Sequence, residues 1–170
     1  LRSHGWYRSA ASRPSNNPSS IMIALPPPRS PAGVPRNTIS PADAARDAGV
    51  TLHAGSFVER LAEPGPDGHD LANTSLLFAA DGRLLAAYRK IHRFGFGAGE
   101  PRLMEAGEDL VVTEIPSGSA GSVRAGLSTC YDLRFPDLYR ELAQAGATML
   151  AIPSSFTVPT GQAHWHTILR

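Results

Sequence analysis

The chain of 170 residues has little of several features that mark particular classes of protein. It has one cysteine, so no disulfide can form within the chain, which favours a reducing compartment. Its formal net charge of +1 gives no overall field that would attract nucleic acid or a membrane surface. No apolar run approaches the roughly 18 residues that span a bilayer, and the first residues lack the basic-then-apolar order of a signal peptide. We therefore expect a cytoplasmic protein that acts on small molecules.

Acidic residues are absent from positions 1–40, which contain five arginines and the proline-rich run LPPPRSP at Leu25–Pro31. Such a composition cannot bury much apolar surface, so we expect an irregular or disordered basic segment. A basic arm that contacts RNA is the alternative, but the arginines are sparse and lack interleaved aromatic residues. The sequence thus predicts no nucleic-acid partner and one folded domain over residues 41–170.

Helix and strand signals alternate from Pro41 onwards. Ser40, Pro41 and Gly49 are typical of the cap, the first position and the end of a short helix. Two apolar runs over residues 73–90 flank Asp81 and Gly82, which predicts a β-hairpin.

A second helix is predicted over residues 135–147, where Leu138, Leu142 and Ala145 lie at helical spacing. The other apolar runs are predicted as strands, of which the last is expected to be buried: 50–60, 108–117, 122–130 and 148–154. Hydrophobic residues make up 42% of the chain, enough for a core, and mixed helices and strands in this order indicate a layered α/β fold.

Cys130 stands where an apolar run stops and charged residues begin, in the stretch AGLSTCYDLRFPDLYREL. It ends a predicted strand and precedes a turn and a helix, a position where α/β proteins tend to place chemistry. A lone cysteine is more often a small apolar residue of the core. The nearby Asp132 and Arg134 favour a reactive thiol, because a structural cysteine is usually surrounded by apolar groups.

Three motifs in order resemble the nitrilase superfamily of carbon-nitrogen hydrolases. They are YRKIHRF at Tyr88–Phe94, CYDLRFPDLYR at Cys130–Arg140 and PSSFTVPTGQAHW at Pro153–Trp165. The resemblance extends over Pro41–Arg170 and is strongest to the amidases of short linear amides, such as omega-amidase and deaminated glutathione amidase. It implies an αββα sandwich, of which this chain would form a part.

The resemblance also implies roles for single residues. Cys130 matches the nucleophile, and Lys90 matches the lysine that stabilises the oxyanion together with the backbone N–H of Tyr131. Glu100 matches a glutamate that orients the lysine and the substrate amide, and Glu105 is the nearby alternative. The implied reaction is acyl transfer through a thioester, with release of ammonia and without a metal or organic cofactor.

Arg134 and Phe156 match positions that line the substrate pocket, although a structural ion pair and a core aromatic are equally plausible interpretations. His164 and His166 stand two residues apart, and no HExxH motif or paired cysteine ligands occur, so we predict no metal site.

The departure from the family concerns the general base, a glutamate at the end of the first strand. No glutamate precedes Glu59, and the only upstream acids, Asp43 and Asp47, fall within the predicted first helix. Losing a positioned base costs about 100-fold to 10,000-fold in rate. Two hypotheses therefore stand: an amidase in which another group supplies the base, or an impaired fragment or pseudoenzyme that retains binding or oligomerisation.

The resemblance further suggests a longer amidase truncated at both ends. Exposed sheet edges and apolar surface would then make the chain marginally stable or dependent on self-association. A homo-oligomer is expected from the resemblance alone.

Overall fold

The computed structural model describes residues 40–116 and 121–170. The segment expected to be irregular, residues 1–40, lies outside the described residues apart from Ser40. The helices are α1 (Pro41–Ala48), α2 (Glu100–Leu103), α3 (Pro136–Gln144) and α4 (Val158–Ile168), with a 3₁₀ helix at Cys130–Arg134. The strands are β1 (Leu52–Arg60), β2 (Leu71–Phe78), β3 (Leu84–Arg89), β4 (Val112–Pro116), β5 (Ser122–Leu127) and β6 (Met149–Ala151).

The first sheet is an antiparallel meander in the order β1–β2–β3. The predicted hairpin is confirmed, and Gly82 in its turn has a φ of 84°, a conformation that side chains other than glycine rarely adopt. Helix α1 covers the outer face of this sheet, where Ala45 packs against Leu76 and Phe78. Its predicted caps are also confirmed, because the Ser40 hydroxyl accepts the Asp43 N–H and Gly49 ends the helix with a φ of 63°.

The second sheet has the order β4–β5–β6, with β4 antiparallel and β6 parallel to β5. Helix α3 connects β5 to β6 and lies on this sheet through Leu138 and Leu142, which are fully buried. The prediction that the last strand is buried was wrong. Met149 and Leu150 are 41% and 44% exposed, because β6 is an edge strand of the sheet.

The two sheets face each other through Tyr88 of β3 and Ala125 and Leu127 of β5. Alternation along β5 places Gly126 on the other face, where a β-carbon would lie 3.2 Å from the Leu142 side chain of α3. The layers are therefore helix, sheet, sheet and helix, in agreement with the expected partial αββα sandwich.

Helix α4 was not predicted from the sequence. Thr157 caps it by accepting the Thr160 N–H, and a proline stands in its first turn. Its residues are at most partly buried, so the helix lacks the apolar periodicity by which α3 was recognised.

Candidate active site

Cys130 lies on a sharp turn beyond the second sheet rather than at the strand end that was predicted. Strand β5 ends at Leu127, and Cys130 begins the 3₁₀ helix with a φ of 49°. This left-handed conformation costs a residue with a β-carbon about 1–2 kcal/mol, so its surroundings must enforce it. One such contact is the hydrogen bond of 2.9 Å that the Cys130 N–H donates to the Pro153 carbonyl. The partly buried thiol lies 4.0 Å from the carbonyl oxygen of Ser155.

Lys90 directly follows β3, and its side chain is only 3% exposed. Its ammonium group lies 2.8 Å from the Glu100 carboxylate. Asn73 of β2 donates its side-chain N–H to the other carboxylate oxygen at 2.7 Å, and the Phe94 N–H donates to the oxygen that Lys90 contacts. Two strand segments and the 91–99 loop thus hold one lysine–glutamate pair.

These donors keep Glu100 ionised. Burial opposes the charge, but the hydrogen bonds from Lys90, the Phe94 N–H and Asn73 outweigh it, so the pKa of Glu100 lies below its ordinary value. A buried ammonium group accordingly faces a permanent carboxylate at neutral pH.

Glu105, the alternative to Glu100 in the sequence, lies elsewhere. It is nearly buried and accepts the backbone N–H groups of Asp67 and His69 at 2.9 and 3.3 Å. Glu105 therefore fixes the 61–70 loop, and the structure brings Glu100 to Lys90.

The side chains after Cys130 form a chain of ring contacts. Tyr131 makes an edge contact with Phe94, whose N–H binds Glu100, at 5.4 Å between ring centroids. The Arg134 guanidinium lies 5.3 Å from the Tyr131 ring centroid and 5.0 Å from that of Phe156. The structure thus brings Arg134 and Phe156 together beside the Cys130 turn, and Trp165 of α4 packs on Phe156.

The first three acidic residues of the chain, Asp43, Asp47 and Glu59, either bind groups other than Cys130 or are exposed to solvent. Asp43 binds Ser40 and Arg46 within α1, and Asp47 is exposed on the same helix. Glu59 is bound by Arg89 at 2.8 Å and by Thr74 at 2.7 Å. Among the described residues, none of these three carboxylates makes a hydrogen bond or ion pair with Cys130.

Comparison with known proteins then decides the family. The model of the carbon-nitrogen hydrolase family matches residues 28–170. The chain belongs to the carbon-nitrogen hydrolase family. The expected resemblance to the nitrilase superfamily is thereby confirmed.

Among curated relatives of this chain, a 2-oxoglutaramate amidase of Paenarthrobacter nicotinovorans is 45% identical, over 75% of this chain and 42% of that protein. A deaminated glutathione amidase of Dictyostelium discoideum is 37% identical, over 75% of this chain and 44% of that protein. The crystal structure of Saccharomyces cerevisiae Nit3, described as a member of branch 10 of the nitrilase superfamily, superposes with a TM-score of 0.60 at 31% identity. That match covers 75% of this chain and 42% of Nit3. The chain thus spans less than half the length of these relatives.

Two side chains of the site were not singled out as functional from the sequence. Asn73 opens the hairpin as an ordinary polar residue, and only the fold brings it to Glu100. Asp132 was noted solely as a charge near Cys130, yet its carboxylate is fully buried and accepts several hydrogen bonds. Within the described residues, no helix is long and apolar enough to cross a membrane, and no cluster of three His, Cys, Asp or Glu side chains could hold a metal ion.

Proposed function

We propose that this carbon-nitrogen hydrolase is an amidase that cleaves small linear amides through a thioester at Cys130 and releases ammonia. The observation that carries the proposal is the buried Lys90–Glu100 pair together with a cysteine held at a φ of 49°. The two are linked through the ring of Tyr131, which follows Cys130 and contacts Phe94, whose N–H binds Glu100. Backbone strain clusters at functional sites, and a buried charged pair linked to such a strained residue supports the same assignment.

In the proposed mechanism, the Cys130 thiolate attacks the amide carbon and forms a tetrahedral intermediate. The Lys90 ammonium group and the Tyr131 backbone N–H stabilise the oxyanion, and Glu100 holds Lys90 in place. Collapse of the intermediate breaks the carbon–nitrogen bond, and the leaving nitrogen takes up the proton that the Cys130 thiol gave up, so that ammonia leaves and a thioester remains. Water then attacks the thioester, which releases the carboxylic acid and returns a proton to the Cys130 sulfur.

The substrate proposal rests on the relatives and on the ring contacts near Cys130. Curated relatives that share the described region are named as amidases, one of them for 2-oxoglutaramate. We propose that Arg134 and Phe156 line the pocket for the substrate chain. Arg134 lies in the same 3₁₀ helix as Cys130 and contacts Phe156, which follows the residue whose carbonyl oxygen lies 4.0 Å from the thiol. The proposal requires no cofactor.

A second candidate function is supported by the acids described above. No glutamate precedes Glu59, and Glu59 itself is occupied by Arg89 and Thr74. A chain without a general base would still bind amides or associate with itself, but it would hydrolyse amides about 100-fold to 10,000-fold more slowly.

Ammonia release from a panel of short ω-amides, compared between this chain and its Cys130→Ala variant, tests the first proposal. Release that disappears in the variant supports a Cys130 amidase in which another group supplies the base. Equal signals from both proteins would contradict an active amidase. Acylation of Cys130 by an activated ester without any ammonia release from amides would favour the impaired chain.

The expected cytoplasmic location and homo-oligomer remain predictions. Light scattering coupled to size-exclusion chromatography measures the oligomeric state directly.

A further inference from the structure

Asp132 has a fully buried carboxylate that accepts hydrogen bonds from donors on both sides of the candidate site. One carboxylate oxygen, Oδ2, accepts the Tyr88 hydroxyl at 2.6 Å and the Thr129 N–H at 2.7 Å. The other oxygen, Oδ1, accepts the His92 N–H at 3.0 Å and lies 2.8 Å from His92 Nδ1. An ionised carboxylate buried this deeply is tolerated only when its lone pairs are satisfied in this way.

The donors belong to two segments that are far apart in the sequence. Tyr88 and His92 flank Lys90, two residues to either side, at the end of β3. Thr129 directly precedes Cys130, and Asp132 itself lies in the same 3₁₀ helix. The carboxylate therefore joins the backbone that carries Lys90 to the backbone that carries Cys130.

Two further features support this connection. Burial and the neighbouring Asp132 charge raise the pKa of Tyr88, so its hydroxyl remains a hydrogen-bond donor at all working pH values. The His92 ring stacks on Phe135, which follows the 3₁₀ helix, with centroids 3.6 Å apart and planes 7° apart. The contacts to Asp132 thus come from groups that are themselves fixed.

We propose that Asp132 is a positioning residue that sets the placement of Cys130 relative to Lys90. The inference rests on the proposed amidase function and deepens it. Asp132 acts through Thr129 on the strained Cys130 turn and through Tyr88 and His92 on the Lys90 segment. Small displacements of reacting groups have large effects on rate, so a residue that positions them can change the rate without any contact to the substrate.

A second buried carboxylate, Glu59, provides the matched control. It also accepts three hydrogen bonds, from Thr74 and twice from Arg89, and its side chain is 9% exposed. None of these partners belongs to the Cys130 turn. If the effect comes only from the loss of a buried charge, Glu59→Gln and Asp132→Asn should change the reactivity of Cys130 alike. If Asp132 positions Cys130, only Asp132→Asn should change it.

The experiment compares Asp132→Asn, Tyr88→Phe and Glu59→Gln with the unchanged chain. Two quantities are measured: the kcat and KM of amide hydrolysis, and the pH profile of Cys130 alkylation by iodoacetamide. Because the chain has a single cysteine, alkylation reports on that thiol alone. Circular dichroism selects the variants that fold. Tyr88→Phe removes one donor without adding a charge or a bulky group, so it decides the test if Asp132→Asn does not fold.

The expected result is a fall in kcat of about 100-fold for Asp132→Asn with little change in KM, and a smaller fall for Tyr88→Phe. Both variants should also shift the alkylation profile, whereas Glu59→Gln should follow the unchanged chain. If the unchanged chain releases no ammonia, the proposed function fails, but the alkylation profiles still test the positioning role. Folded Asp132→Asn and Tyr88→Phe variants with the alkylation profile of the unchanged chain would overturn the inference.

Discussion

Replacing either Lys90 or Glu100 alone by an uncharged residue is expected to destabilise the chain more than the loss of one ordinary hydrogen bond. Lys90 is 3% exposed and Glu100 is 17% exposed, so neither group can be fully hydrated after its partner is removed. Removal of one member of a buried ion pair costs about 3–5 kcal/mol, because the other charge is left uncompensated.

The structure distinguishes the two single variants. In Glu100→Gln the amide oxygen can still accept from Lys90 and Phe94, and Asn73 can rotate its amide to accept from the new NH₂ group. The lost charge then dominates, and we expect about 3 kcal/mol of destabilisation. In Lys90→Met the carboxylate retains the donors Asn73 and Phe94, so about 1.5–3 kcal/mol is expected from the lost charged hydrogen bond.

The double variant Lys90→Met/Glu100→Gln leaves no unpaired charge. Its destabilisation should therefore be smaller than the sum of the two single values, with a coupling free energy of about 2 kcal/mol. Urea unfolding followed by far-ultraviolet circular dichroism gives the three free energies of unfolding. Single-variant effects that add to within about 0.5 kcal/mol would refute the interpretation of these residues as one buried, interacting pair.

Further predictions concern pH, catalysis and packing. The pKa of Glu100 is lowered in the folded state, so the stability advantage of the unchanged chain over Glu100→Gln should be present above pH 4.5 and disappear as the pH falls through the lowered value. Unfolding measured at a series of pH values tests this expectation, and a stability advantage that grows below pH 4.5 would contradict it. Glu100→Gln should reduce amide hydrolysis by far more than Glu105→Gln, and equal losses in an ammonia assay would contradict the choice between the two. Cys130→Gly should be at least as stable as Cys130→Ala in thermal unfolding, because glycine relieves the φ of 49°; a less stable glycine variant would argue against strain. Leu142→Ala should cost about 2–5 kcal/mol, whereas Val158→Ala at an exposed position should stay within about 0.5 kcal/mol, and similar values for both would contradict the described core.

Local patterns in the sequence predicted the elements that depend on local chemistry. Ser40 and Gly49 bound α1, and Asp81–Gly82 lies in the hairpin turn, because caps and turns are determined by a few adjacent residues. Helix α4 was missed since its residues show no buried face, and β6 was expected to be buried because sequence alone does not tell which strand forms an edge.

The same distinction between local patterns and contacts between distant segments applies to the candidate site. Cys130 and Lys90 were predicted from motifs, and the structure adds the strained conformation of Cys130 and the near-complete burial of Lys90. Glu100 was preferred to Glu105 from the resemblance, and the structure places it against Lys90. The contribution of Asn73 depends on a contact between segments that are further apart in the sequence. Asp132 shows the limit most clearly, because its partners Tyr88 and His92 lie about forty residues earlier and are brought to it only by the packing of the two sheets.

The central claim is that Cys130 forms a covalent acyl intermediate. In the most direct measurement, the chain is incubated with an activated ester of a short carboxylic acid and the reaction is quenched with acid. Mass spectrometry and peptide mapping then locate any added acyl group. We expect one added acyl group on the peptide that contains Cys130, lost in Cys130→Ala and reduced in Lys90→Met, which lacks the proposed oxyanion-stabilising charge. A folded chain that gains no acyl group, or that gains it equally in Cys130→Ala, would show that Cys130 is not the nucleophile.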